Sequence, residues 1–95
     1  MFVEISAFQD VIRRTYLDKD RARGTPATYM WFMEEVGELA TALREGTKAE
    51  QAAEFADVLA WLTTLANLAE VDLEEALAKY SKGCCGCGKI PCACP

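Results

Sequence analysis

The chain has 95 residues, 52% of them hydrophobic, with fifteen acidic against ten basic side chains, a net charge of −5 and no histidine. That length holds one domain with a modest core, burying about two thirds of its unfolded surface, and the hydrophobic content excludes a disordered chain. The acidic balance argues against a broad nucleic-acid-binding surface, and the missing histidine removes His-based serine or cysteine hydrolases, His-ligated zinc enzymes and diiron bundles built on Glu-x-x-His.

Residues 1–8 include Glu4 and no basic head before a long apolar stretch, so no secretory signal is read there. Apolar runs are broken by charge well short of the ~20 residues a membrane span needs. A cytoplasmic protein without a membrane partner is expected. Ser6 and Gln9 have capping-box spacing, and Ile5, Phe8, Ile12 and Tyr16 recur with helical period, which predicts a first helix ending near Asp18. The stretch 18–24 alternates charges without an apolar stripe and reads as a connection. Thr25 and Pro26 suit the cap and first turn of a second helix over 26–45, closed by Gly46. Thr47 and Glu50 form another capping box, opening a third helix that reaches roughly Ala69. Asp72 and Glu75 open a short fourth helix ending near Lys82, before Gly83. No strand alternation or internal repeat is present.

The fold class is therefore all-α: a four-helix bundle with an antiparallel central helix pair, helices one and four laid against it, and a short cysteine-rich C-terminal tail. The expected division is a helical domain at 1–83 and a tail at 84–95. Helices this short leave apolar stripes uncovered, so a homodimer or homotetramer is expected.

Helices two and three each carry acidic pairs three residues apart, Glu35 with Glu38 and Glu54 with Asp57. At about 100° per residue, Phe32, Val36, Leu39 and Leu43 form the buried stripe of helix two, with Glu35 at its edge and Glu34 nearly opposite. Glu54 points with Val58, Trp61 and Leu65, inside the apolar face of helix three, and Asp57 lies beside it. An ionised carboxylate on a packing face is costly unless compensated, and cations are scarce on these helices. A divalent cation such as Mg²⁺, which prefers oxygen ligands, is the economical compensation, with Glu35, Glu38, Glu54 and Asp57 as its ligands. The alternative is a solvated acidic face, the preferred reading for Glu34, Glu45, Glu50, Glu74 and Glu75.

The segment Glu34-Glu35-Val36-Gly37-Glu38, followed after fifteen residues by Glu54-Phe55-Ala56-Asp57, resembles the Glu-Glu-x-x-Glu and Glu-x-x-Asp signature of MazG-like nucleotide pyrophosphohydrolases, the all-α NTP pyrophosphatase superfamily. The likeness runs over 8–79 and includes Asp72-Leu73-x-x-Ala76-x-x-Lys79, the pattern that opens the family's last helix. It implies a MazG-like bundle that hydrolyses a nucleoside triphosphate, NTP or dNTP, to the monophosphate and pyrophosphate. Mg²⁺, with Mn²⁺ as a substitute, would be bound by Glu35, Glu38, Glu54 and Asp57, and Glu34 or Glu38 would be the general base. Such a reaction clears or balances nucleotide pools.

Lys79 matches a family lysine that reaches the phosphates; its alternative is an ordinary lysine at a helix C-terminus. Family members often place an asparagine and a basic residue after that lysine, where this chain has Gly83 and the cysteine tail. Arg21, Arg23 or Lys82 are the available substitutes. Trp31, one turn before Glu35, and Trp61, one turn after Asp57, can stack on a nucleobase or simply belong to the core.

Cys84, Cys85, Cys87, Cys92 and Cys94 fall within eleven residues of a chain with no other cysteine. Cys84-x-x-Cys87 followed by Gly88 and Lys89 resembles a zinc knuckle, and Cys92 and Cys94 complete a four-thiolate set for structural Zn²⁺. Disulfides and an unstructured thiol tail are the rivals. A non-catalytic helical interaction module with a zinc-knuckle tail is the alternative function.

Overall fold

The computed structural model describes residues 4–95, so the N-terminal stretch read for a signal lies partly outside the described residues. Among the described residues there are four α-helices, α1 Ile5–Arg23, α2 Thr25–Glu45, α3 Lys48–Leu68 and α4 Leu73–Leu77, followed by a 3-10 turn at Ala78–Tyr80. Among the described residues there is no strand, and the fold class is the all-α bundle expected. No described helix is long and apolar enough to cross a membrane.

The α2–α3 hairpin is the frame of the molecule. Its turn is held by local chemistry: the Thr47 hydroxyl accepts from the Glu50 N–H while the Glu50 carboxylate accepts from the Thr47 N–H, at 3.2 and 3.0 Å. Gln51 Nε2 donates to the carbonyls of Ala42 and Gly46, tying the first turn of α3 to the end of α2. α2 packs most extensively on α3, α1 lies chiefly against α3, and α4 rests on α1.

The buried apolar set is small, Ile12, Ala42 and Ala66, and polar groups occupy much of the interior. Gln9 Nε2 donates to Asn67 Oδ1 at 3.0 Å and to the Val71 carbonyl at 2.8 Å, and Gln9 Oε1 accepts from the Leu73 N–H at 2.9 Å. Gln9 is therefore not the partner of a Ser6 cap. Glu4 holds the cap position without a side-chain bond, and Gln9 instead fastens α1 to the α3–α4 connection.

Three further boundaries differ from the sequence reading for physical reasons. α1 continues to Arg23 because Asp20, almost wholly buried, takes the inner position one turn beyond Tyr16 and pairs with Arg23 at 3.0 Å. An apolar stripe does not register that polar inner residue. Thr25 is already helical, with Gly24 at the cap, and the wholly buried Thr28 hydroxyl donates to the Gly24 carbonyl. At the other end, Asp72 caps the Glu74 and Glu75 N–H groups as expected, yet α4 lasts only five residues. Leu77 and Tyr80 are half-exposed, so the segment lacks the packing that would lengthen it and its last turn tightens to 3-10.

Candidate metal and substrate site

α2 and α3 bring Glu35, Glu38 and Glu54 together, each offering a carboxylate oxygen within 4.8 Å of the others. One oxygen of Glu35 and one of Glu54 are buried with no hydrogen-bond partner. Removal from water, then the charges of Glu38 and Asp57, push the Glu35 carboxyl up to about 7. The same causes in the same order raise Glu54. Among the described residues, no lysine or arginine forms an ion pair with any of these four acids. Asp57 stands one turn beyond Glu54, near enough to act on both raised carboxyls, but outside the group of three whose oxygens converge. Glu34 is exposed on α2 and joins neither set.

Hard oxygen donors, two of them stripped of water and left without partners, fit a hard divalent cation. The donor set contains neither sulfur nor nitrogen, which disfavours softer ions.

Asp57 also lines a cavity of about 380 Å³ together with Trp61, Arg23, Asp20, Tyr16 and Lys19. Trp31 and Trp61 stack on each other across α2 and α3, with ring centroids 6.3 Å apart and planes 18° from parallel. The Arg23 guanidinium lies 5.0 Å from the Trp61 ring centroid. Arg23 is held in place by Asp20 and also donates to the Thr28 hydroxyl, at 3.3 Å. One Asp20 oxygen remains buried and unpartnered. Sequence periodicity pointed to neither Asp20 nor Thr28; the only signal was the Asp20/Arg23 spacing within a charged stretch. A second groove, lined by Glu38, Glu54, Thr41, Glu45 and Glu50, opens toward the hairpin turn. Glu38 and Glu54 thus border the groove, and Asp57 borders the Trp61 cavity.

Lys79 is not brought to the carboxylates by any contact among the described residues. Its ammonium lies 5.2 Å from the Tyr80 ring centroid, on the 3-10 turn that packs on α4. In the tail, Cys84, Cys87, Cys92 and Cys94 converge with sulfurs within 4.8 Å of one another, and Cys85 lies outside the group. Backbone N–H groups of Cys87 and Gly86 lower the Cys84 thiol to about 6.

Comparison with curated proteins finds no match. The sequence pattern of the MazG nucleotide pyrophosphohydrolase domain matches residues 24–83, from the start of the α2–α3 hairpin to the residue before the first cysteine, and covers 60 of the 95 residues. The match spans more than half of the chain, and the chain belongs to the MazG nucleotide pyrophosphohydrolase domain family.

Proposed function

We propose that the chain hydrolyses a nucleoside triphosphate, NTP or dNTP, to the monophosphate and pyrophosphate with Mg²⁺ held by Glu35, Glu38, Glu54 and Asp57, in the service of clearing or balancing nucleotide pools. The observation that carries this reading is the pair of buried, unpartnered oxygens on Glu35 of α2 and Glu54 of α3, in one group with Glu38. When bound, Mg²⁺, or Mn²⁺ in its place, would supply the positive charge that offsets the negative charge developing on the phosphates as the anhydride breaks.

The chain's own residues do the rest. Asp57, one turn from Glu54, would be the fourth ligand. A water oxygen adds at phosphorus, the bond linking the α- and β-phosphates breaks, pyrophosphate leaves, and the water's proton passes to a carboxylate. Glu34 and Glu38 are the two carboxylates proposed for that proton. The cavity beside Asp57 suits a nucleoside, with Trp61 and Trp31 as stacking surface. Arg23 lines the same cavity and is the cation best supported as a phosphate contact. Lys79, the family-matched lysine, must leave Tyr80 to share that role.

Exposed apolar side chains support self-association into a homodimer or homotetramer. Phe55, Leu59 and Leu62 recur at one-turn spacing on α3, all more than two fifths exposed, and Met30 and Met33 are exposed on α2.

The test is pyrophosphate release from a panel of canonical and modified nucleoside triphosphates, with and without Mg²⁺. Mg²⁺-dependent release from at least one member supports the hydrolase. No release from any of them with Mg²⁺ or Mn²⁺ leaves the non-catalytic interaction module.

A further inference from the structure

We infer that Cys84, Cys87, Cys92 and Cys94 bind one Zn²⁺ as a closed tetrathiolate site that orders the C-terminal tail, with Cys85 as a free thiol. The inference is independent of the hydrolysis reading, since it concerns a segment beyond the matched domain.

Geometry carries it. Cys84 Sγ lies 3.4 Å from Cys92 Sγ and 3.7 Å from Cys94 Sγ. With Zn–S bonds of about 2.3 Å, a tetrahedral site has sulfur-sulfur edges of about 3.8 Å, so these sulfurs stand close to the separations that one ion requires. All four sulfurs meet around one point rather than in two pairs, whereas disulfides would sort them pairwise at about 2.05 Å. Cys85 sits between two converging cysteines in sequence and is nevertheless outside the group, as an exposed thiol.

The backbone is arranged for the sulfurs. Gly86 N–H donates to Cys84 Sγ at 3.4 Å, Ala93 N–H to Cys87 Sγ at 3.3 Å and Cys94 N–H to Cys92 Sγ at 3.4 Å. Such donors orient the three sulfurs that they reach. The loop is closed by Gly88 N–H to the Cys84 carbonyl at 2.7 Å and Cys84 N–H to the Lys89 carbonyl at 3.2 Å.

Two glycines stand where a side chain would break the arrangement. A Cβ on Gly86 would come within 3.3 Å of Cys94 Sγ and 3.7 Å of Cys84 Sγ. Gly83, at a φ of 120°, would meet the Lys89 carbonyl oxygen at 2.9 Å.

Burial does not explain this order. Ile90, the large aliphatic side chain of the tail, is 83% exposed, so the segment has no core of its own. A metal bound only by the folded form supplies the missing stability. The chain has no histidine, so sulfur is the tail's only soft donor, and soft thiolates in a tetrahedron select Zn²⁺. Four thiolates leave no position for water, which makes the ion structural.

The test uses the full chain purified without added metal. Elemental analysis should give one zinc per chain, and a thiol reagent under native conditions should react rapidly with one thiol, the other four following only after a strong chelator. Cys85→Ser should retain the full zinc content, while Cys84→Ser and Cys92→Ser should lose it with their helical circular dichroism unchanged. Co²⁺ substitution should produce the thiolate charge-transfer bands of a tetrahedral site in the wild type and in Cys85→Ser. Zinc well below one per chain with all five thiols reactive, disulfides found by mass spectrometry in place of thiols, or zinc loss in Cys85→Ser equal to that in Cys84→Ser would each overturn the assignment.

Discussion

Glu35 on α2 and Glu54 on α3 each bury one carboxylate oxygen in the seam between the helices, and neither oxygen has a hydrogen-bond partner. A seam built this way is under electrostatic load in the metal-free protein. Unpartnered buried oxygens cost stability, and nearby Glu38 and Asp57 add repulsion to both groups.

Glu54→Gln and Asp57→Asn should each reduce hydrolysis on the order of 100-fold or more, a loss typical of removing a group that offsets transition-state charge, with helical content unchanged. Glu54→Gln should in addition melt at a higher temperature than the wild type in the presence of a chelator. Near-normal turnover in both variants would remove these residues from the ligand set.

The metal-free protein should lose stability as pH rises. Below the ordinary glutamate value of 4.5, Glu35 is protonated in both the folded and unfolded chain and has no net effect. Between 4.5 and about 7 the unfolded chain gives up that proton while the folded chain keeps it, so the balance shifts toward unfolding; above about 7 the effect levels off. Glu54 adds in the same direction. Urea denaturation across this window with chelator present should show the decline, Glu35→Gln should flatten it, and excess Mg²⁺ at neutral pH should restore stability by binding the folded form. A rise in stability with pH in wild type but not in Glu35→Gln would contradict it.

Glu34→Gln and Glu38→Gln separate the two candidates for the proton acceptor. The variant lacking the base should lose kcat with little change in the Mg²⁺ concentration needed for half-maximal rate. Loss of a ligand should instead raise that concentration. If Glu38→Gln alone shifts the metal requirement and Glu34→Gln alone lowers kcat, Glu34 takes the proton.

Gln9→Ala should destabilise the fold by about 1–3 kcal/mol in chemical denaturation, because it strands the Leu73 N–H, the Val71 carbonyl and Asn67 Oδ1 in a part-buried setting. An unchanged midpoint would mean that the Gln9 network is not what fastens α1 to the α3–α4 connection.

Sedimentation of the wild type at micromolar concentration should report a dimer or tetramer. Leu59→Glu, in the middle of the exposed α3 stripe, should shift it toward monomer. A wild-type monomer at that concentration would refute the association.

What the sequence determined by itself was whatever depends on neighbours a few residues apart. The hairpin turn follows from Gly46, Thr47 and Glu50, whose mutual bonds span three residues, and α4 opens at Asp72 for the same reason. The position of Glu54 among Val58, Trp61 and Leu65 follows from the helical repeat alone. The tertiary structure decided whatever depends on the rotation and offset of one helix against another. That offset brings Glu38 to Glu35 and Glu54 while leaving Asp57 one turn away, and stacks Trp31 on Trp61. It also buries Gln9 and Asp20, polar residues on the inner face of α1 that hydrophobic periodicity counts as exposed. Asn67 becomes the neighbour of Gln9 only when α1 folds back along α3, and Thr28 joins the local Asp20–Arg23 pair only when the chain turns into α2. Burial of a polar group becomes affordable only once such a partner is supplied.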